Sequence, residues 1–307
     1  MRVLVVASYN KGRFAPFIEE QTRALEAQGC VIRFLGLQGK GIGGYLRNLP
    51  LLKKEIREFH PGIIHAHYGL SGLFANMQRR IPVVTTYHGS DINDKKALRF
   101  SKVAMRLSAW NIFVSRQTIV KAQLKKKYSL LPCGVDLSEL QLTEKAEARR
   151  QMQLALDKKY VLFAGAFDNR VKNAPLAQQA VEDLHDDNVV LLELKGYSRE
   201  EVTLLMCATD ALIMTSFSEG SPQVIKEALS CGCPIVSVDV GDVKERVEGV
   251  EGCYVAKIRE PNELEDLLRK ALLFEGKTVG RTRIISDGLD NRQVAEELLN
   301  IYKHVKR

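Results

Sequence analysis

No stretch of the chain approaches the roughly 20 apolar residues that a membrane-spanning helix needs. Its first residues run from Met1-Arg2 straight into an apolar strand, with no signal-peptide layout. These absences point to a cytoplasmic protein, and six scattered cysteines suit a reducing compartment. Only Cys231-Gly232-Cys233 brings two cysteines together. It lies where a helix ends and a strand begins, so it reads as core filling rather than a metal site. Aromatic residues are sparse, at 7% with one Trp, and form no stacking platform for single-stranded nucleic acid. No solenoid-length repeat and no low-complexity tract is present. Acidic residues are scarce in one half: residues 1–140 hold 22 Lys/Arg against 9 Asp/Glu, a net of +13, whereas residues 141–307 hold 23 against 28, a net of −5. The basic half faces an anionic partner or serves solubility.

What remains is an α/β alternation long enough, at 307 residues and 45% hydrophobic, for two modest domains. Strands are predicted at 2–7, 30–35, 63–66, 83–87 and 110–114, and again at 160–165, 189–194, 211–215, 235–239 and 252–255. Helices are predicted at 14–28 and 45–59, after the Ser115 cap through Lys125-Lys126-Lys127, and at 291–304 with Val294, Leu298 and Tyr302 on one face. Five glycines between Gly36 and Gly44 predict a mobile loop. Such alternation argues for doubly wound, Rossmann-like parallel sheets. The turn-rich Leu131-Pro132-Cys133-Gly134-Val135-Asp136 marks the boundary. The expected first domain is 1–140 plus a returning 290–307, and the second is 141–289.

The stretch from Ser216 to Val236 is the most informative. Ala211–Thr215 is a buried strand, Ser221-Pro222 reads as a capping hydroxyl and first helical residue, and Gly232 closes the helix. A helix start at the carboxyl end of a parallel strand suits a phosphate. Glu219 and Glu227 frame it, and ionised carboxylates accept only from donors such as sugar hydroxyls. A diphosphate flanked by hydroxyl-bearing rings, a nucleotide sugar, satisfies both features. On spacing alone, a solvated loop with surface glutamates fits about equally well.

Glu219-Gly220-Ser221-Pro222-Gln223 through Glu227-Ala228, followed by Gly232-Cys233-Pro234-Ile235-Val236, resembles the donor motif of retaining glycosyltransferases of family 4, which have the GT-B architecture of two Rossmann-like domains facing a cleft. The resemblance implies that Glu227 holds ribose hydroxyls, Glu219 contacts the transferred sugar, and the Gly220, Ser221, Pro222 and Gln223 segment faces diphosphate or sugar. It also implies that Arg170 and Lys172, in Gly165–Asn173, neutralise the diphosphate in place of a metal, and that His88, in His88-Gly89-Ser90-Asp91, meets the reacting sugar. The chain has no D-x-D sequence. Gly12, between Lys11 and Arg13, stands where the family has two glycines and is a candidate for donor binding, and Cys133 stands where the family has asparagine. Lys11, Arg13, His67 and Asp91 are candidates for the acceptor side. His65 and His67, at i and i+2 on a strand, share a face and suit structural or cleft-lining roles better than metal binding.

The expectation is a metal-independent, retaining hexosyltransferase without a cofactor, using a UDP- or GDP-sugar and a saccharide or lipid-linked acceptor. Lys53, Lys54, Arg57, Lys95, Lys96, Arg99, Lys102, Arg106 and Lys125–Lys127 would meet an anionic acceptor or the inner face of a membrane, and nucleic acid is not expected. A nucleotide-sugar 2-epimerase on the same fold, and a non-catalytic binding protein, are the alternatives.

Overall fold

A computed structural model describes residues 1–306, apart from the side chain of Ile42, so Arg307 of the expected first domain lies outside the described residues. The chain divides into two compact units, Met1–Gly134 with Leu289–Arg307, and Val135–Gly288.

The first unit is a six-stranded parallel sheet in the order β2-β1-β3-β4-β5-β6. Its strands are β1 (Arg2–Ser8), β2 (Val31–Leu37), β3 (Ile63–His67), β4 (Val83–Tyr87), β5 (Trp110–Phe113) and β6 (Tyr128–Leu130). Val3, Leu4, Val5 and Val6 of β1 are all fully buried. Helices cover both faces of a central parallel strand, so its sequence is a continuous apolar run rather than an alternation. The helices are α1 (Pro16–Ala27), α2 (Gly41–Leu46), α3 (Leu49–Phe59), α4 (Gly69–Ala75), α5 (Ser90–Asn93), α6 (Lys95–Leu107), α7 (Arg116–Ala122) and the last helix of the chain, Asn291–Lys306. That last helix sets Val294, Ala295, Leu298 and Tyr302 against β1 residues and Leu25 of α1. Burying side chains the size of Val294 and Leu298 stabilises the unit by about 1.5–3 kcal/mol each.

The second unit is a five-stranded parallel sheet in the order β11-β10-β9-β7-β8. It comprises α8 (Lys145–Gln151), β7 (Lys159–Phe163), α9 (Ala174–Glu182), β8 (Val189–Glu193), α10 (Arg199–Ala208), β9 (Ala211–Met214), α11 (Gln223–Cys231), β10 (Ile235–Val238), α12 (Val243–Val247), β11 (Cys253–Ala256), α13 (Pro261–Leu272) and α14 (Gly280–Ser286), which makes the last helix α15. Cys231 and Cys233 are buried at the α11–β10 junction. In each sheet the chain adds its second strand on one side of the first and its third on the other. The loops leaving β1 and β3, and those leaving β7 and β9, therefore diverge over a crevice at the strand ends.

Three expectations are corrected. The predicted helix 45–59 is two helices, because Pro50 cannot donate into a continuous helix and instead sits in the first turn of α3. The predicted glycine-rich loop is largely ordered secondary structure: β2 runs through Gly36-Leu37 and α2 starts at Gly41. A Cβ on Gly36 would lie 2.7 Å from Cβ of Tyr9, so here glycine permits close approach rather than mobility. Helix α7 carries the expected Ser115 cap, with Thr118 completing a capping box, but ends at Ala122 where Gln123 turns left-handed at φ 58°. Lys125, Lys126 and Lys127 therefore precede β6 rather than finish a helix.

Candidate functional site

In the second unit the loops after β7 and β9 lock together. The 3-10 turn Arg170–Lys172 lies on the first and Glu219 on the second. Thr215 Oγ1 donates to the carbonyls of Lys172 and Asn173, both at 2.9 Å, and the Phe217 amide donates to the Val171 carbonyl at 2.9 Å. Lys172 Nζ donates to Glu219 Oε1 at 2.8 Å, with both side chains about one-fifth exposed. Its stem lies over Gly165, where a Cβ would come within 2.8 Å of Lys172 Cγ. Arg170, two residues away, is exposed.

Helix α11 starts one residue later than its sequence suggests. Pro222 takes the N-cap position and no side chain caps the helix. The expected cap, Ser221, instead donates its hydroxyl to Oδ2 of buried Asp242 at 2.8 Å. Burial pushes the Asp242 carboxyl up, against the opposing pull of Lys226, Arg246 and Ser221. Gly241 brings its loop against the Gly220 turn, where an added Cβ would lie 2.7 Å from the Gly220 carbonyl oxygen. Glu227 sits in the second turn, 7% exposed, and is engaged by Arg199 at the start of α10.

Arg199 and Asp242 were missed by sequence reasoning. A signal for Arg199 existed, because Ser198 and Glu201 form a capping box that marks a helix start just after β8. Asp242 offered no such signal, since its hydroxyl partner Ser221 lies 21 residues away in the chain.

In the first unit three histidines form a row at the carboxyl ends of β3 and β4. The rings of His65 and His67 lie 4.4 Å apart and those of His67 and His88 lie 5.2 Å apart, nearly parallel. His67 Nδ1 is 3.0 Å from His88 Nε2, and His88 Nδ1 is 3.7 Å from the Cys133 sulfur. Phe17 and Tyr68 flank His88, with ring centroids at 4.8 and 4.6 Å. His65 bonds the Tyr302 hydroxyl at 2.6 Å and Thr86 Oγ1 at 2.8 Å. Burial lowers the pKa of His65 to about 3 and, with His65 and His88 nearby, that of His67 well below its usual value. Tyr302, from α15, was read as a core residue only, and its hydroxyl gives it a second role.

Asp91, a candidate for the acceptor side, has a structural role that its sequence position does not announce. Its carboxylate is buried and accepts from the amides of His88 and Gly89 at 3.0 Å and of Gly69 at 2.9 Å. It braces the turns after β3 and β4. Burial pushes this carboxyl up to about 6 against those amides. The braced turns include Tyr68 at φ 72°, a conformation that costs a non-glycine residue of order 1–3 kcal/mol. Lys11, Gly12 and Arg13 lie together on the exposed loop after β1, with Gly12 at φ 70°. Among the described residues no group of three or more His, Cys, Asp or Glu side chains is arranged to hold a metal ion. No described helix is long and apolar enough to cross a membrane.

Residues 2–139 match the family model described as Glycosyltransferase Family 4, and residues 161–273 match that of Glycosyl transferases group 1. TuaC of Bacillus subtilis, provisionally named a glycosyltransferase of teichuronic acid biosynthesis, is 26% identical over 75% of this chain and 66% of its own length. Among solved structures, sucrose-phosphate synthase of Thermosynechococcus elongatus superposes with a TM-score of 0.80 at 17% identity, covering 99% of each chain. Alr3699/HepE of Anabaena, in complex with UDP, superposes at 0.76 with 18% identity, covering 99% of this chain and 100% of its own. These likenesses identify the fold as GT-B.

Proposed function

Because the chain belongs to glycosyltransferase family 4, we propose that it is a retaining hexosyltransferase needing neither metal nor cofactor. In this reading it moves a hexose or N-acetylhexosamine from a UDP- or GDP-sugar to a saccharide or lipid-linked acceptor of cell-envelope or exopolysaccharide biosynthesis. The observation that carries it is the meeting of Lys172 and Glu219 beside the uncapped start of α11, at the second sheet's switch point. On donor binding, Lys172 and Arg170 balance the diphosphate and the first amides of α11 face it. Glu219 accepts from hydroxyls of the sugar and Glu227 from those of the ribose. The bond from the anomeric carbon to the diphosphate oxygen breaks, and one to the acceptor oxygen forms on the same face. The acceptor's proton leaves on the departing diphosphate, whose growing charge the two cations stabilise. In this reading the first unit carries the acceptor side, with His88 at the sugar and Lys11 and Arg13 toward the acceptor, while Gly12 serves the donor.

HepE, a structural neighbour, was solved with UDP, so uridine nucleotides are the first donors to test. A panel of UDP- and GDP-sugars, incubated with EDTA and with and without acceptor saccharides, is expected to show slow donor hydrolysis with the anomer retained. Loss of turnover on chelation, restored by Mg²⁺ or Mn²⁺, would reject the metal-free scheme. Epimerised donor in the absence of acceptor would replace transfer by epimerisation.

The basic first half supports an anionic surface as partner. Helix α6 exposes Lys96, Arg99 and Arg106 beside exposed Phe100, Val103 and Leu107. Each such cation adds about 1 kcal/mol on anionic lipid. Co-sedimentation with phosphatidylserine vesicles, weakened by salt and absent with phosphatidylcholine alone, is the expected result. Equal recovery with both lipids would remove the membrane from the reading.

A further inference from the structure

His67 is fully buried, yet only one of its ring nitrogens is used. Nδ1 faces His88 Nε2 at 3.0 Å, whereas Nε2 has no hydrogen-bond partner among the described residues. Burial keeps the ring neutral, so it carries one hydrogen. Were that hydrogen on Nε2, it would be a buried donor without an acceptor, which costs about 1–3 kcal/mol. Buried N–H groups left in that state are rarer than under-used acceptors. The hydrogen therefore belongs on Nδ1, pointing at His88. Nε2 of His88 is then the acceptor, and the hydrogen of a neutral His88 sits on Nδ1, toward the Cys133 sulfur.

We propose that His67 is a positioning residue that donates from Nδ1 to His88 Nε2, fixing the tautomer and orientation of the ring the proposed reaction places at the sugar. The rest of the row braces His67. His65 packs beside it with its ring tilted by 33°, and Tyr302 and Thr86 hold the two nitrogens of His65, so the chain's last helix reaches the same row. A His88 held in this way meets the sugar without exchanging a proton, because its basic nitrogen is already occupied. The importance of this for catalysis rests on the transferase reading; the tautomer itself does not.

The test uses the full chain with ¹⁵N-labelled histidine, without ligand, in the parent, His67→Asn and His67→Leu. Asparagine keeps an amide N–H near the place of Nδ1, and leucine fills similar volume without a donor. Two-bond ¹H–¹⁵N correlation spectra are expected to show His88 protonated on Nδ1 with a bare Nε2 in the parent and in His67→Asn. In His67→Leu the ring should become a mixture of tautomers. Turnover in His67→Leu should fall by about 10²-fold, as for a misplaced reacting group, with nucleotide affinity unchanged and His67→Asn largely restored. A parent spectrum with the His88 hydrogen on Nε2 would overturn the assignment, even if His67→Leu fails to fold. Parent-like turnover in a folded His67→Leu would overturn the positioning role and leave the transferase standing. A parent without turnover but with the expected tautomer would do the reverse.

Discussion

Lys172→Ala is expected to lower kcat by about 10²–10³-fold, the effect of removing one preorganised group from a developing anion. The reason is timing. In the resting protein the ammonium is shared with Glu219 at 2.8 Å, and the departing diphosphate has more charge to offer it in the transition state than in the bound donor. The loss should therefore appear in kcat more than in KM. The fold should survive, because the side chain is about one-fifth exposed and Gly165, which accommodates its stem, tolerates a shorter neighbour. Lys172→Arg should recover part of the rate, since it keeps the charge but not the compact ammonium that meets Glu219. Steady-state kinetics on the donor identified by the panel would decide. A kcat within a few-fold of the parent would remove Lys172 from the transition state.

The second large effect is in binding. Glu227→Ala should weaken nucleotide affinity by roughly 10–150-fold, the 1.5–3 kcal/mol of hydrogen bonds made to a charged group. Glu227 is nearly buried and rigidly placed on α11, and Arg199 engages its carboxylate before any ligand arrives. A preorganised acceptor loses little freedom when it takes two ribose hydroxyls. Titration calorimetry with UDP and GDP reads the effect directly, and Glu227→Gln separates charge from shape. Affinity equal to the parent's in Glu227→Ala would move the ribose elsewhere. Arg199→Ala is informative beside it, because it removes the engaging group and leaves the carboxylate.

Much of this was legible in the chain. The apolar runs Val3–Val6 and Ala211–Met214 read as strands, and both are strands, fully buried. The glutamate pair around Gly220 and Pro222 located a strand-to-helix turn, off by one residue at the cap. The errors have a common cause. Ser221 had the chemistry of a helix cap, but a buried carboxylate from another loop competes for its hydroxyl. Gln123 ends a helix as glycine usually does, so its three following lysines were carried too far. Asp91 was expected on the acceptor side, and nothing in the sequence signalled that its carboxylate takes three amides from two turns.

By itself, then, the sequence determined the class of fold, the order of its strands along the chain and the turns that hold the charged groups. Those depend on local periodicity and on glycine and proline, which act within a few residues. Only tertiary structure decided which groups meet: Lys172 with Glu219, Arg199 with Glu227, Tyr302 with His65, His67 with His88. These partners are brought together by sheet order, and hydrogen bonds act over about 3 Å, a distance that has no counterpart in spacing along the chain.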